Sequence, residues 1–488
     1  MRFNNTLRSV LLAVIALSCL LPGSSLVAEP LLMAMSEEEE IELGRTENRK
    51  ILAQFGLYRD EELQSYITKI GERIAAYSSR PELQFHFTIL NDPLVNAFAL
   101  PGGYVYVTRG MLAHMNSESE LAAVLGHEIA HVTEKHAERS MTRGKVMKGL
   151  STVAAIATGT TAVYDLGNMF GGVLLKGYSR GFELEADKVG AEYMAKAGYN
   201  PEAMLSTIEV LKAKDRIELA QARLEKREPR IYHGILSTHP DHDTRYGKAI
   251  CESSALNQVY SEFIKTDEFL EKLNGLSYGS SRQVGVVRKN RFYHPKLGIK
   301  LTFPTGWRIE NSSKGVLAYA LDGGAVFKIT SKPLYKNLAP EKYLTERLGY
   351  VLREGSDFSV AGLPGHIAIA DRANSPYGPR PVRVALLYDK RKRQAYLLTG
   401  AGKHDLRKIK DDRQFIATIF SLDRMDKEDF RDAKIPKIQV VRAEQDTTME
   451  SLAERSPLTN YALDQLRVIN GLYPNGQPEE GQLIKIID

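Results

Sequence analysis

Apolar residues recur at helical spacing through the first part of the chain. Between positions 36 and 76 they lie three or four residues apart among charged residues, in two runs separated near Gly56. This pattern predicts two amphipathic helices. Residues 83–90 alternate between apolar and polar, and residues 97–108 carry Pro101-Gly102-Gly103 before an apolar run. We therefore expect strands joined by a turn at the glycines.

Longer helices are predicted after this small set of strands. Residues 118–140 are rich in Ala, Leu, Glu and Lys and contain no Pro, and similar patterns cover 182–196 and 201–226. Between them, residues 146–178 carry few charges and many Gly, Ala and Thr residues. A buried helix with a mobile loop fits that composition, and peripheral contact of 146–178 with a membrane surface is the alternative.

The pattern changes beyond Gly279 to β-rich segments, such as 292–303 and 382–398, with helical patches at 340–348 and 404–419. Residues 283–425 are thus predicted to form a separate α+β domain of unknown role. Residues 435–488 read as a strand, two helical stretches and a strand. The predicted fold class is α+β, with a mainly helical first domain at 36–275 that contains a small sheet.

The N-terminus has the layout of a secretory signal peptide. Residues 1–28 hold Arg2, Arg8 and no acidic residue, then twelve uncharged residues from Val10 to Leu21, then small residues up to Ala28. A membrane anchor is the competing interpretation, but it needs about 20 apolar residues. Cys19 resembles a lipoprotein cleavage site only loosely. We expect export with cleavage, to the periplasm or an equivalent compartment, with association with membrane or cell wall left open.

Charge and cysteine content narrow the function classes further. The net charge of +5 falls by two when Arg2 and Arg8 leave with the leader, which is too mild to favour nucleic acid as a partner. Cys251 would then be the remaining cysteine, so no intramolecular disulfide is expected.

A metal-binding motif lies within the predicted helix 118–140. His127 and His131 are four residues apart, so one helical turn brings both imidazoles to the same face, where they can hold one metal ion. Glu128 can face a water at that metal without binding the metal itself. Nitrogen and carboxylate ligands with one open position favour Zn²⁺, one per chain. The predicted chemistry is hydrolysis, with Glu128 as the catalytic base.

A catalytic zinc site needs a third protein ligand, and Glu183 is the candidate. Glu183 and Asp187 are four apart on a predicted helix, so one carboxylate can bind metal while the other accepts a hydrogen bond from a ligand imidazole. An exposed helical carboxylate is the alternative for Glu183. Glu185 is expected at the surface.

Four segments together resemble a known family. They are Asn-Ala-Phe-Ala-Leu-Pro-Gly-Gly at 96–103, His-Glu-Ile-Ala-His at 127–131, Ser-Arg-Gly-Phe-Glu-Leu-Glu-Ala-Asp at 179–187, and His239-Pro240 followed by Arg245. The chain from about 36 to 255 resembles the HtpX and BepA-like zinc metallopeptidases, relatives of the CAAX prenyl endopeptidase. From the sequence we expect neither the transmembrane pairs of the HtpX type nor the tetratricopeptide repeats of the BepA-like type.

The resemblance implies a gluzincin-type fold with Glu183 as the third zinc ligand. It also implies an edge strand beside the metal-binding helix, on which Gly103, Tyr104 and Val105 would pair with an extended polypeptide substrate. His239 matches a histidine that can approach the zinc, where it would either restrain activity or assist catalysis. An ordinary loop histidine is the alternative for His239. His114, His136 and His242 match no motif position and are expected at the surface.

The tail carries a second resemblance. Asp446-Thr447, Ser451-Leu452-Ala453, residues 469–472 and residues 481–486 are similar to a LysM module, a small βααβ unit that binds N-acetylglucosamine polymers such as peptidoglycan. Gln445 replaces the usual glycine, and one residue is inserted before Ser451. Residues 435–488 are thus predicted to form a LysM-like module, with peptidoglycan as its expected partner.

Together these features predict a zinc metalloendopeptidase, and the resemblance implies misfolded or misassembled cell-envelope proteins as its substrates. The alternatives are a periplasmic chaperone or scaffold with a mostly closed zinc site, and a peptidoglycan-associated binding protein. A fourth zinc ligand at His239 would favour the scaffold, because closed four-ligand sites are typically structural.

Overall fold

The computed structural model describes residues 35–141, 178–224, 266–279, 285–312, 315–335, 338–458 and 461–488. The predicted leader 1–28, both cysteines and residues 146–177 lie outside these ranges. His239 and His242 lie outside them too. None of the helices within the described ranges combines the length and the hydropathy that a membrane span requires.

Two helices open the described chain, as the hydrophobic pattern predicted. Helix α1 spans Glu37–Phe55 and helix α2 spans Glu61–Ala75. Gly56, at φ +72°, ends the first helix in a conformation that favours glycine. Asp60 begins the second, since its side chain accepts a hydrogen bond from the backbone N–H of Leu63. The buried face of α2 places Leu63, Ile67, Ile70 and Ile74 in the core.

A three-stranded sheet follows, formed by β1 (His86–Leu90), β2 (Ala97–Leu100) and β3 (Tyr104–Thr108). Its order is β1-β3-β2, with β3 parallel to β1 and antiparallel to β2. The prediction that Gly103, Tyr104 and Val105 form an edge strand is therefore wrong: Tyr104 and Val105 lie on the central strand, and Gly103 lies in the turn before it. The parallel pairing is long-range, and alternation along the chain does not reveal it.

The described residues from 109 to 224 include the helices α3 (Arg109–His114), α4 (Glu118–Thr133), α5 (Arg180–Lys196) and α6 (Ala203–Leu224). Ser117 caps α4 by accepting a hydrogen bond from the backbone N–H of Glu120. Every residue of α4 is buried, because the helix packs against α2, α5, α6 and β2. It is shorter than the predicted helix 118–140. Lys135, at φ +52°, breaks the helix, and residues 136–141 form a new helical segment.

Among the described residues, the β-rich part of the chain contains two sheets, one of seven antiparallel strands and one of four. Along Leu363–Ala373, a strand of the larger sheet, alternate residues enter different apolar clusters: Ile367 and Ile369 belong to one, Ala368 and Ala370 to the other. Both faces of the large sheet are thus covered.

The strands and helices between residues 266 and 432 have the following bounds: α7 Thr266–Lys272, β4 Val286–Arg288, β5 Arg291–His294, β6 Ile299–Thr302, β7 Arg308–Ser312, β8 Gly315–Tyr319, β9 Ala325–Pro333, α8 Pro340–Lys342 with a π turn at Tyr343–Arg347, β10 Val351–Val360, β11 Leu363–Ala373, β12 Arg380–Asp389, β13 Gln394–Gly402, α9 Asp412–Phe420, β14 Asp423–Arg424 and α10 Lys427–Asp432. The larger sheet has the strand order β10-β11-β12-β13-β9-β8-β7, and the smaller sheet has the order β14-β6-β5-β4.

The tail has the element order β15 (Ile438–Arg442), α11 (Met449–Arg455), α12 (Ala462–Ile469) and β16 (Leu483–Ile487), and its two strands pair antiparallel. Its apolar side chains belong to the same core as α2, α4 and α6; they are Ile438, Met449, Leu466, Ile469 and Ile487. The fully buried Lys485 donates hydrogen bonds to the carbonyls of Ala113 (3.0 Å) and Met115 (2.7 Å). The tail therefore packs onto the loop that precedes α4.

The α+β fold class is confirmed. The described residues from Glu37 onward belong to one compact unit, and Met35 and Ser36 belong to a separate one. The predicted boundaries at 36–275, 283–425 and 435–488 stay predictions.

Candidate metal centre

Three buried side chains converge where α4 and α5 meet. His127 and His131 lie on α4 and Glu183 lies on the first turn of α5, and one ligand atom from each lies within 4.8 Å of the others. The two Nε2 atoms are 2.9 Å apart. Glu183 Oε2 lies 3.3 Å from His127 Nε2 and 3.6 Å from His131 Nε2. The structure thus brings together the three residues predicted as metal ligands.

Asp187 orients His127. Its Oδ1 lies 2.9 Å from His127 Nδ1, and a carboxylate can only accept, so Nδ1 carries the hydrogen. The lone pair of His127 Nε2 then points at His131 and Glu183. Asp187 therefore occupies the supporting position that the spacing from Glu183 predicted.

The electrostatics of the three donors fit a cation. Two imidazole nitrogens at 2.9 Å beside a carboxylate oxygen repel one another unless a positive charge lies between them. Burial lowers the pKa of His127, but the hydrogen bonds and charges of Asp187 and Glu183 outweigh it and raise the pKa to about 10. Burial lowers the pKa of His131. Two imidazoles and one carboxylate are ligands that suit Zn²⁺.

Glu128 lies next to the first ligand and is 2% exposed. Burial raises its pKa to about 7; the charge of His127 opposes this shift and the charge of Glu183 adds to it. A carboxylate with a pKa near neutrality can both take and return a proton. This is the property that a catalytic base at this position requires.

His131 has a support that sequence reasoning missed. His136 was expected at the surface, yet it is fully buried and its Nδ1 lies 2.7 Å from His131 Nδ1. In a continuous helix, a residue five positions further on would point about 140° away. The left-handed conformation of Lys135 breaks the helix and returns His136 to the ligand. His114, also expected at the surface, is buried on α3.

Tyr178 forms a second unpredicted contact. Its ring stacks on His131, with ring centroids 4.2 Å apart and planes 21° from parallel. Burial, together with the charges of Glu128 and Glu183, raises its pKa, so its phenol stays neutral. Tyr178 packs with an apolar cluster that includes Leu100 and Tyr106, which places an apolar surface beside the ligands.

Comparisons with known proteins agree with this arrangement. Residues 61–250 match the model of Peptidase family M48. The Beta-barrel assembly-enhancing protease of Escherichia coli (strain K12) is 29% identical over 262 residues, covering 51% of this chain and 50% of that protein. The Putative beta-barrel assembly-enhancing protease of Vibrio cholerae is 34% identical over 180 residues, covering 34% of this chain and 36% of that protein.

A mitochondrial relative matches as well. The Mitochondrial metalloendopeptidase OMA1 of Schizosaccharomyces pombe is 31% identical over 183 residues, covering 38% of this chain and 51% of that protein. The chain thus spans between 36% and 51% of the length of these three relatives. A solution structure of PsbP (CyanoP) from Synechocystis is 11% identical in sequence, and the match covers 30% of this chain and 98% of the PsbP chain. Its TM-score of 0.22 is too low to carry an argument. Residues 61–250, which contain all three predicted ligands, are thus similar to Peptidase family M48.

Proposed function

We propose that the chain is a zinc-dependent endopeptidase that hydrolyses peptide bonds within polypeptide substrates. The observation that carries this proposal is the convergence of His127, His131 and Glu183 in a buried site, with Glu128 next in sequence to the first ligand. The similarity to a beta-barrel assembly-enhancing protease and to a metalloendopeptidase supports the same class of reaction.

The residues divide the chemistry between them. When bound, zinc supplies a Lewis acid that polarises the scissile carbonyl and makes water more acidic. His127, His131 and Glu183 would hold it. Glu128 takes the proton of the attacking water and passes it to the leaving amine nitrogen, for which a pKa near 7 is suitable. No covalent bond forms between enzyme and substrate.

The free edge of β2 is our candidate for substrate pairing. The outer edge of β1 is covered: Tyr58 N–H donates to the carbonyl of Ile89, and the side chain of Gln64 bonds to Phe87 and Ile89. Strand β2 pairs with β3 alone among the described strands, and it packs against α4. An extended peptide added to β2 would therefore lie beside the helix that carries His127 and His131.

Substrates in the cell envelope are the natural extension of this proposal. The N-terminal pattern favours export, and several relatives are named for enhancing the assembly of β-barrels. We infer that exported polypeptides, misfolded or misassembled, are the substrate class. Peptidoglycan binding by the LysM-like residues 435–488, membrane contact through 146–178 and the role of His239 stay predictions.

The test is casein cleavage by the full exported chain loaded with zinc. Glu128→Gln is expected to keep zinc and to lose cleavage by at least about 100-fold, because the amide cannot accept the proton. Glu134→Gln, at the C-terminal cap of the same helix, is the matched control and should cleave normally. Substantial cleavage by the Glu128 variant would overturn the assignment, and faster cleavage by His239→Ala would identify that histidine as a brake.

A further inference from the structure

A hydrogen-bonded chain extends from His131 away from the metal centre. His131 Nδ1 lies 2.7 Å from His136 Nδ1, and His136 Nε2 lies 3.2 Å from Glu185 Oε2. Arg139 Nη1 donates to the same carboxylate oxygen at 3.0 Å. Each of the two ligand histidines is thus connected by hydrogen bonds to a carboxylate on α5. His127 bonds directly to Asp187, and His131 is linked to Glu185 through the imidazole of His136.

The chain has one consistent direction of donation. The Glu185 carboxylate accepts, so His136 Nε2 carries a hydrogen. A neutral His136 then accepts at Nδ1, and His131 Nδ1 must donate to it. His131 Nε2 is left with its lone pair, directed at His127 and Glu183. The contacts therefore select the one tautomer of His131 that can bind a metal at Nε2.

Packing fixes the orientation of the His136 ring. It is fully buried and stacks on Phe182, with centroids 4.6 Å apart and planes 17° from parallel. The guanidinium of Arg139 lies over Phe182 at 4.4 Å. Phe182 immediately precedes Glu183, so the same contacts join the segment after α4 to the turn that carries the third ligand.

We propose that His136 is a positioning residue of the metal centre, which holds His131 in its metal-binding tautomer and orientation and is itself anchored by Glu185. The inference rests on the proposed function only in that His131 binds a divalent metal. The inference predicts that loss of the Nδ1 acceptor of His136 weakens metal binding, although His136 acts on the metal only by positioning His131.

The experiment measures zinc affinity of the full chain by competition with a chromophoric chelator, and thermal stability of the metal-free protein. His136→Phe keeps an aromatic ring on Phe182 but removes the acceptor, and should weaken zinc binding about 10- to 100-fold. His136→Asn places an amide oxygen near the position of Nδ1 and should restore most of the affinity. Glu185→Ala should weaken zinc binding, whereas Glu192→Ala, on the same helix, should not.

The outcomes separate the inference from the proposed function. The inference would be overturned if His136→Phe bound zinc as tightly as wild type, or if the Phe and Asn variants lost zinc affinity equally. A merely structural role of His136 would lower the stability of the metal-free protein without making the zinc affinities of the two variants differ. If His136→Phe does not fold, the comparison of Glu185→Ala with Glu192→Ala decides. A wild-type chain that binds zinc but cleaves nothing would refute the endopeptidase and leave this inference standing.

Discussion

Helices α4 and α5 approach each other closely at Gly126 and Gly190. A Cβ placed on Gly190 would lie 2.8 Å from the carbonyl carbon of Gly126 and 2.8 Å from the backbone nitrogen of His127. Both atoms belong to the backbone of α4, so the steric clash cannot be relieved by rotation of a side chain. Gly190→Ala must therefore push α5 away from the helix that carries two ligands.

The size of the shift follows from these distances. Ordinary van der Waals contact begins at 3.4 Å, so the backbones must separate by about 0.6 Å at the crossing. Metal–ligand distances tolerate about 0.2 Å, and overpacking a well-packed interior costs typically 1–3 kcal/mol. Gly190→Ala should thus lower both the stability of the metal-free protein and its affinity for zinc.

The assay is thermal unfolding of the metal-free chain together with chelator competition for zinc. Gly181→Ala is the matched control on the same helix, since its Cβ would meet no atom within 4 Å. It should bind zinc normally and gain up to about 1 kcal/mol from the helix propensity of alanine. If the Gly190 variant matched the Gly181 variant in stability and affinity, helix approach would not control the site.

Two further predictions concern the region where the tail meets α3. Burial, together with the charges of Lys485 and Lys214, lowers the pKa of His114 to about 3, although its hydrogen bond to the Gly110 carbonyl opposes the shift. The folded protein then binds fewer protons than the unfolded chain below pH 6.5, so stability is lost as the pH falls. Wild type should lose about 2 kcal/mol more than His114→Asn between pH 7 and pH 5, measured by urea unfolding; equal losses would contradict this. Deletion of residues 435–488 removes five apolar side chains from the shared core. At about 1.5–3 kcal/mol each, this approaches the whole stability of a typical domain, so the truncated chain should be unfolded by circular dichroism. A soluble truncated chain with a wild-type melting curve would show that the tail is dispensable.

Local sequence patterns predicted the helices that carry the metal ligands. Features that depend on contacts between residues far apart in the sequence could not be predicted. His127 and His131 could be placed because their spacing is a property of one helix, and the same holds for Glu183 and Asp187. The position of Tyr104 on the central strand of the sheet could not be predicted, because it depends on the parallel pairing of β3 with β1. The burial of His136 depends on a left-handed residue, Lys135, that carries no glycine signal in the sequence.

Helix α5 unites the separate parts of the metal centre. It supplies Glu183 and the carboxylates on which both ligand histidines depend, Asp187 for His127 and Glu185 for His131 through His136. The position of α5 relative to α4 therefore determines both where Glu183 lies and which tautomers His127 and His131 adopt. A substitution at Asp187 or Glu185 acts on one histidine, whereas a displacement of α5 at Gly190 acts on all three ligands. Zinc affinity should accordingly fall further in Gly190→Ala than in Glu185→Ala.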